Sequence, residues 1–127
     1  MIPMDFTLLQ KKQAQKDRYY IVKPENGCQG KGIFLTNTPA KLDKSNPMII
    51  QRYITNPLLI EGLKFDLRIY ILITSIQPLR IFMYKDGLAR FATELFEQPN
   101  EDNLNDLYKH LTNYAINKNH EQFVVSE

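Results

Sequence analysis

The feature that most constrains the fold is a strand pattern in the middle of the chain, KFDLRIYILITS. Its apolar residues alternate from Phe65 to Ile73 and share one face, because successive side chains of a strand point to opposite sides. Lys64, Asp66 and Arg68 share the other face at one end. Because burying these charges unpaired is costly, they pair with each other, meet solvent or meet a charged ligand.

The segments that follow predict an antiparallel meander. Gln77-Pro78 predicts a turn and PLRIFMYK a second strand, while Asp86-Gly87 predicts a hairpin turn into a third strand, LARFAT. Arg90 falls on this third strand. It is either a surface arginine at the end of a hairpin or a further charge of a ligand site.

A glycine-rich loop, PENGCQGKG, separates two predicted short strands, Tyr19–Lys23 and Gly32–Thr36. Glycines let backbone N–H groups approach anions, and Lys23 and Lys31 supply positive charge. The spacing is not that of a P-loop. The loop is therefore either a plain exposed turn or a hairpin tip that covers phosphates. Met48–Ile54 predicts a further strand.

The C-terminal third predicts a loop and a short helix. Asn103 is expected to cap a helix over Leu104–Leu111, whose apolar residues follow helical spacing. In the next stretch, HLTNYAINK, Thr112 and Asn113 either contact a nucleotide or shape a turn. His110 has no evident partner, and no metal-binding cluster can be assembled.

Composition narrows the class of protein. A chain of 127 residues that is 43% hydrophobic forms one domain or part of one, and its net charge of +2 argues against a nucleic-acid partner. Cys28 is the single cysteine, so an internal disulfide is excluded. No apolar run is long enough to span a membrane, which predicts a soluble cytoplasmic protein without a membrane partner. Residues 1–18 predict a tail or a helix over Phe6–Lys16.

Four consecutive blocks resemble one family: YYIVKPENGCQGKGIFL, QRYITNPLLIEGLKFDLRIYILITS, PLRIFMYKDGLARFAT and HLTNYAINK. Over residues 19–125 they are similar, in order and approximate spacing, to the tubulin tyrosine ligase-like family, and the YAINK ending resembles its polyglutamylase branch. The resemblance implies an α+β fold: a partial ATP-grasp domain over residues 19–127, with an antiparallel sheet and short flanking helices.

The resemblance also implies roles for single residues. Arg68 would be catalytic, facing the γ-phosphate and the reacting carboxylate. Arg90, Tyr114 and Lys118 would hold the incoming amino acid. The residues expected to bind ATP are Lys23, Gln29, Gly30, Gln51, Arg52, Tyr53, Ile54, Lys64, Phe65, Asp66, Thr112 and Asn113. Within this set, the segment 51–54 would lie against adenine, mostly through its backbone groups.

The implied activity is ATP-dependent ligation of glutamate onto glutamate side chains of tubulin. The implied partners are tubulin or microtubules and free glutamate, in a cytoskeletal and ciliary setting. The family also requires magnesium, but its ligands, an Asp and a Glu-x-Asn pair, have no counterpart before Glu127. The chain alone is therefore expected to have little or no activity. The alternatives are tubulin glycylation and a non-catalytic, truncated protein that binds nucleotide or tubulin.

Overall fold

The computed structural model describes residues 18–43 and 45–125 of the chain. The predicted N-terminal helix over Phe6–Lys16 lies outside these residues. Within them, the chain forms two three-stranded antiparallel sheets and a few short helices, which confirms the α+β prediction and fits part of an ATP-grasp fold. Within the same residues, no helix is long and apolar enough to cross a membrane.

The first sheet forms around the glycine-rich loop. Strand β1 (Tyr20–Pro24) lies between β2 (Phe34–Thr36) and β3 (Met48–Arg52) and pairs antiparallel with both. Alternation along β1 buries Tyr20 and Val22, which are 6% and 1% exposed. The predicted hairpin is therefore present, with strand ends displaced by one or two residues.

The second sheet is dominated by one long hairpin. Strands β5 (Leu63–Ile76) and β6 (Leu79–Leu95) pair along their lengths and are joined by the predicted turn at Gln77-Pro78. The two-residue strand β4 (Leu59–Ile60) pairs only with the first residues of β5.

The prediction of a second turn at Asp86-Gly87 is wrong, because β6 runs through these residues as one strand. Gly87 stands opposite Ile69, and the pairing then jumps to Ile71 opposite Met83, so the surplus residues of β6 form a bulge. A Cβ atom on Gly87 would lie 2.5 Å from the carbonyl oxygen of Arg68. The glycine therefore marks a close approach of two strands rather than a turn.

The end of the hairpin that carries the turn, residues 69–87, is called the distal hairpin here. It exposes apolar side chains on both faces, and no described strand pairs with its outer edges. All of the following are at least 51% exposed: Ile69, Tyr70, Ile71, Leu72, Ile73, Ile76, Leu79, Ile81, Phe82, Met83 and Tyr84.

The opposite end, residues 63–68 and 88–95, is called the root. Two short helices, α1 (Leu107–His110) and α2 (Tyr114–Asn117), pack against it. The buried hydrophobic residues of the described chain are few and all lie outside the distal hairpin: Tyr20, Val22, Leu35, Tyr53, Ala92 and Leu111. Asn103, His110 and Asn117 are buried with them, so the core is unusually polar.

The helix predicted over Leu104–Leu111 is shorter than expected, because residues 101–105 form turns and only α1 is helical. Asn103 does not cap it. Its side-chain nitrogen instead donates to the carbonyl of Gln98 at 3.0 Å, and its side-chain oxygen accepts from the backbone nitrogen of Asn100 at 2.8 Å. Asn103 thus closes the preceding loop on itself, as Asn side chains commonly do in turns.

Candidate functional site

The three charged residues of β5 lie in the root. Alternate positions place Lys64, Asp66 and Arg68 on one face, as predicted. Lys64 and Asp66 also contact residues 46 positions further along the chain. Phe65 points the other way, with its ring 5.8 Å from the ring of Phe91. Any role of Phe65 beside Lys64 and Asp66 therefore falls to its backbone.

Asp66 is the centre of a group that we call the Asp66 cluster: Asp66, Arg68, Arg90 and Thr112. Arg90 stands directly opposite Asp66 in the strand register, and its Nε and Nη2 donate to the two carboxylate oxygens at 3.1 and 2.6 Å. Arg68 Nε lies 3.5 Å from Oδ1, and the Thr112 hydroxyl donates to Oδ2. One carboxylate therefore meets two guanidinium groups and a hydroxyl.

These contacts keep Asp66 ionised. Partial burial on its own raises the pKa of Asp66, but hydrogen bonds from Arg90 and Thr112 and the charges of both arginines outweigh it and lower the pKa below its ordinary value. The side chain of Arg68 is 52% exposed and that of Arg90 is 24% exposed. Arg68 is therefore the guanidinium with more room to meet a ligand.

Lys64 is held by two acceptors beside this cluster. Its Nζ donates to the Tyr53 hydroxyl at 3.0 Å and to the backbone carbonyl of His110 at 2.8 Å, and it lies 4.4 Å from the centre of the Tyr53 ring. Burial lowers the pKa of Lys64 to about 8, with the negative charge of Asp66 opposing this and the positive charge of Lys23 adding to it. Lys64 is thus a cation that begins to lose its proton just above neutral pH.

Lys23 comes to this site from the first sheet. Its Nζ donates to the side-chain oxygen of Gln51 at 2.8 Å, and the register of β1 with β3 sets Gln51 opposite Ile21, two residues before Lys23. Because residues two apart share a strand face, Lys23 and Gln51 lie side by side. The structure thus brings together two of the residues predicted to bind ATP.

The segment predicted to lie against adenine begins in β3 and runs past its end. Arg52 and Ile54 are exposed, whereas Tyr53 is 4% exposed and its backbone N–H donates to the carbonyl of Tyr19 at 2.8 Å. The backbone N–H of Tyr53 is therefore engaged within the protein. The predicted adenine contacts of this segment stay a prediction.

One residue of the glycine-rich loop, Gly30, is buried, whereas Gln29 and Lys31 on either side of it are exposed. Gly30 has φ +86°, and a Cβ atom there would lie 2.6 Å from Cδ1 of Ile116 and 3.1 Å from Cγ of Asn113. Glycine adopts this backbone conformation without strain and leaves room for both side chains. Gln29, also at positive φ, stays exposed. The loop tip therefore docks where the polar stretch after α1 turns into α2.

Asn113 helps to form the turn into α2, whereas the nucleotide contact expected of Thr112 and Asn113 stays a prediction. Thr112 belongs to the Asp66 cluster, while the carbonyl of Asn113 accepts from the backbone nitrogens of Ile116 and Asn117 in α2. The side chain of Asn113 lies against Gly30. This segment therefore links the glycine-rich loop to the charged face of β5.

The three residues predicted to hold an amino acid make different contacts. Tyr114 is 57% exposed, its ring is 5.7 Å from that of Phe123, and Nζ of Lys118 lies 5.7 Å from the centre of the Tyr114 ring. Arg90 is instead bound to Asp66. In the part of the chain that the structure describes, no hydrogen bond joins Arg90 to Tyr114 or Lys118.

Asn117 and His110 are the residues of this site that sequence reasoning missed. The Asn117 oxygen accepts from the backbone nitrogen and hydroxyl of Thr93, at 3.0 and 2.9 Å. Its side-chain nitrogen donates to the carbonyls of Leu111 and Asn113, at 2.8 and 3.1 Å. This asparagine uses all its hydrogen-bonding capacity to fix the segment bearing Thr112 to β6. The density of polar residues in HLTNYAINK was the available signal.

The arrangement favours binding of an anion. Lys23, Lys64, Arg68 and Arg90 bring four positive charges to the root, and Asp66 brings one negative charge. Positioned cations of this kind bind phosphate or carboxylate groups. Among residues 18–43 and 45–125, no group of three or more His, Cys, Asp and Glu side chains is placed to hold a metal ion.

A family model described as the Tubulin-tyrosine ligase family matches residues 1–126, which includes the N-terminal stretch. Tubulin polyglutamylase TTLL13 of Mus musculus is 58% identical over 112 residues, 88% of this chain and 14% of that protein. Tubulin polyglutamylase TTLL6 of Homo sapiens is 52% identical over 123 residues, 96% of this chain and 14% of that protein. The chain thus spans a small part of the relatives that it matches.

Proposed function

The chain belongs to the tubulin-tyrosine ligase family, and we propose that it contributes nucleotide- and carboxylate-binding residues to an ATP-dependent ligase that attaches glutamate to glutamate side chains of tubulin. Relatives similar to most of the chain are named tubulin polyglutamylases. The proposed partners are therefore tubulin or microtubules and free glutamate, and the proposed setting is the cytoplasmic cytoskeleton, including cilia.

The observation that carries this proposal is the excess of positive charge at the root of the hairpin. Lys64 and Arg68 share one strand face there, and Lys23 is close enough to act on the pKa of Lys64. In the proposed site Lys23 and Lys64 contact phosphates, while Arg68, which is half exposed, faces the γ-phosphate and the reacting carboxylate. The contact of Gly30 with Asn113, the residue after Thr112, supports a role of the loop at this site.

ATP would supply the activation of a carboxylate toward attack by an amine. The task of the chain's own residues is to bind, orient and stabilise developing negative charge. Fixed cations do this well because they are already aligned when the charge develops. Asp66 contributes indirectly, since its ion pairs with Arg68 and Arg90 hold both guanidinium groups in place.

Recognition of the amino acid is assigned to Arg90, Tyr114 and Lys118. Arg90 Nε and Nη2 each donate to Asp66, so its remaining N–H groups are those available to a carboxylate. Lys118 lies beside the Tyr114 ring, and the two side chains form the second part of the proposed amino-acid site. Glycine is the alternative substrate, and it lacks the side-chain carboxylate that this many cations would favour.

Magnesium, which the family resemblance implies, does not fit the described residues by themselves. Asp66 is the carboxylate nearest the proposed phosphates, and two arginines and Thr112 already occupy its oxygens. No other carboxylate of the described residues joins it in a metal-binding group. We assign no step to a metal held by these residues.

Calorimetric titration of the purified chain with Mg-ATP tests the nucleotide part of the proposal. We expect saturable binding that Arg68→Ala weakens by about tenfold or more, because hydrogen bonds to charged groups are worth about 1.5–3 kcal/mol. Arg80→Ala is the matched control, since Arg80 lies exposed near the turn of the distal hairpin, opposite Ser75. No binding by a folded chain, or equal weakening by both variants, would contradict the proposal.

Transfer to tubulin tests the ligase part. Tubulin is incubated with the chain, Mg-ATP and isotopically labelled glutamate or glycine, and the products are read by mass spectrometry. We expect little or no transfer by the chain alone, because it spans 14% of the relatives named above and its described residues hold no metal-binding group. Glutamate transfer by the chain alone would refute that expectation, and glycine transfer would favour the glycylase alternative.

The absence of a metal-binding group among the described residues also favours a second candidate, a non-catalytic protein that binds nucleotide or tubulin. Coding sequence that continues past Glu127 and supplies the Asp and Glu-x-Asn ligands would separate the two. A longer protein with those ligands that transfers glutamate supports the ligase. One that binds ATP without transfer supports the non-catalytic candidate.

A further inference from the structure

A buried series of hydrogen bonds, which we call the Lys64 relay, runs from the Lys64 ammonium to the loop before α1. Lys64 Nζ lies 3.0 Å from the Tyr53 hydroxyl, which lies 3.1 Å from Nδ1 of His110. Nε2 of His110 lies 3.1 Å from the backbone carbonyl oxygen of Asn103. Tyr53 and His110 are 4% and 0% exposed, so the relay is shielded from water.

The direction of every hydrogen bond in the relay follows from its two ends. An ammonium group only donates, so the Tyr53 hydroxyl accepts from Lys64 and must give its own proton to His110. Nδ1 of His110 therefore carries no proton. Nε2 then carries the ring proton and donates to the Asn103 carbonyl, as its 3.1 Å separation requires. The relay is satisfied only when His110 is neutral in this one tautomer.

These hydrogen bonds leave one N–H group of the Lys64 ammonium available to a ligand. Of its three N–H groups, one goes to Tyr53 and one to the backbone carbonyl of His110. We propose that Tyr53 and His110 are positioning residues that hold the Lys64 ammonium so that its third hydrogen is presented to an anionic ligand. The identity of that ligand as a nucleotide phosphate rests on the proposed function.

The surroundings of His110 keep the relay in this arrangement. The rings of Tyr53 and Phe96 meet the imidazole edge to face, with ring centres 5.6 and 6.1 Å away. Burial lowers the pKa of His110, the contact with Asn103 opposes this, and the charge of Lys64 adds to the lowering. Asp106 and Lys109, the other charged groups that act on His110, have opposite signs. The ring is therefore neutral at physiological pH.

The role of Tyr53 differs from the one expected from sequence, which placed this residue against adenine through its backbone. In the structure the side chain of Tyr53 also takes part, because its hydroxyl is hydrogen-bonded to both Lys64 and the buried His110. Removing the hydroxyl takes away an acceptor that stabilises the charged form of Lys64 more than the neutral form. The pKa of Lys64 then falls further, which a purely structural role of Tyr53 does not predict.

The test is the pH dependence of Lys64 acylation in the purified chain, resolved by peptide mass spectrometry. Only the neutral amine attacks the acylating reagent, so the reaction rate reports the neutral fraction of Lys64 at each pH. In the parent chain we expect a midpoint near the pKa of about 8. Tyr53→Phe should lower the midpoint by about one pH unit, which corresponds to the free energy of one hydrogen bond to a charged group. Labelling of the exposed Lys85 corrects for the reagent.

Two further variants make the outcome decisive. Tyr20→Phe is the matched control, because Tyr20 is 6% exposed and its hydroxyl is buried without a hydrogen-bond partner among the described residues. We expect it to leave the Lys64 midpoint unchanged. His110→Asn keeps an acceptor near the position of Nδ1 and should retain more of the parent midpoint than His110→Leu. If a His110 variant fails to fold, the comparison of Tyr53→Phe with Tyr20→Phe still tests the proposal.

A Tyr53→Phe midpoint equal to that of the parent, or one matched by Tyr20→Phe, overturns the proposal. The Lys64 midpoint needs no nucleotide, so this result is independent of the proposed function. Mg-ATP titration of Tyr53→Phe at pH 8 then tests whether the Lys64 relay contributes to nucleotide binding. If the parent binds ATP, we expect about tenfold weaker binding by the variant. If the parent binds none while the midpoint shifts, the relay stands and the nucleotide assignment fails.

Discussion

The two ends of the long hairpin differ in what surrounds them. At the root, charged and polar side chains are paired: Asp66 binds two arginines, and Asn117 makes four hydrogen bonds. In the distal hairpin, apolar side chains such as Leu72 and Phe82 are more than half exposed on both faces. The more hydrophobic end of the hairpin is therefore the less buried one.

This difference shows that apolar content does not locate the core of this chain. Strands buried on both faces in a complete domain carry continuous apolar runs, and the distal hairpin has such a run. The structure nevertheless places the core where short helices pack on the root. Stability and chemistry are thus expected to depend on the polar root, and the distal hairpin is expected to drive association.

The largest effect is predicted for Asn117. In Asn117→Asp, a carboxylate would face the carbonyls of Leu111 and Asn113, and both would lose their donor. We expect the free energy of unfolding to fall by about 4 kcal/mol, because several buried groups lose their partners at once. Urea unfolding measures this. Asn119→Asp is the matched control, since Asn119 is exposed, and losses of equal size would contradict the contrast between buried and exposed polar groups.

Substituting one leucine beside α1 and one leucine of the distal hairpin compares the two regions directly. Leu111 is 4% exposed and Leu72 is 62% exposed. We expect Leu111→Ala to lower the free energy of unfolding by about 3 kcal/mol, as for other buried leucines, and Leu72→Ala by less than about 1 kcal/mol. Equal losses in urea unfolding would mean that the distal hairpin is covered in solution, which would break the comparison.

The next largest effect is on the pH dependence of stability, and it compares Lys64 in the root with Lys85 in the distal hairpin. Burial lowers the pKa of Lys64 to about 8 from its ordinary value of 10.5, so between these values the unfolded chain binds more protons than the folded chain. The contribution of Lys64 should therefore raise the free energy of unfolding by about 2 kcal/mol from pH 8 to pH 10. Above pH 10 the raised pKa of Tyr53 begins to oppose this.

Urea unfolding at these two pH values measures that rise. Lys64→Met should abolish it, and Lys85→Met should leave it intact, because the Lys85 side chain is 86% exposed. The same rise in both variants would show that Lys64 titrates as an ordinary surface lysine.

The smallest effect on stability is predicted within the distal hairpin. Leu72 and Phe82 are cross-strand partners, and changing both to Thr should alter the free energy of unfolding by about 1 kcal/mol or less. The same change should reduce self-association, because large exposed apolar patches mark association surfaces. Sedimentation velocity of the parent and the double variant measures this. A parent chain that stays monomeric at high concentration would contradict it.

The sequence predicted much of the fold because strand patterns are local. Alternation in KFDLRIYILITS placed Lys64, Asp66 and Arg68 on one face, and Gln77-Pro78 marked a real turn. It failed at Asp86-Gly87, where Asp86 lies in a bulge and Gly87, at the edge of the bulge, pairs with Ile69. The glycine serves a close approach to Arg68 across the sheet, and the sequence around Gly87 carries no information about that distance.

The candidate site was predicted in part. Lys64, Asp66, Arg68 and Arg90 were singled out as charges on apolar strands, and Lys23 as a charge of the glycine-rich loop. The structure brings all five to the root. His110 and Asn117 were not predicted as part of the site. Their roles depend on partners such as Tyr53 and Thr93, at separations of 57 and 24 residues. No periodicity in a sequence reports which distant partner a buried polar side chain will meet.

What the sequence by itself determined is the family, the strand that carries the charges, and the positive character of the site. These follow from residue identity and from a period of two along the chain. Only the tertiary structure decided that Asp66 pairs with Arg90, that Lys64 is held through Tyr53 by a buried histidine, and that the distal hairpin lies open. Those outcomes depend on which distant segments pack together, and packing sets the burial and partners that give each side chain its chemistry.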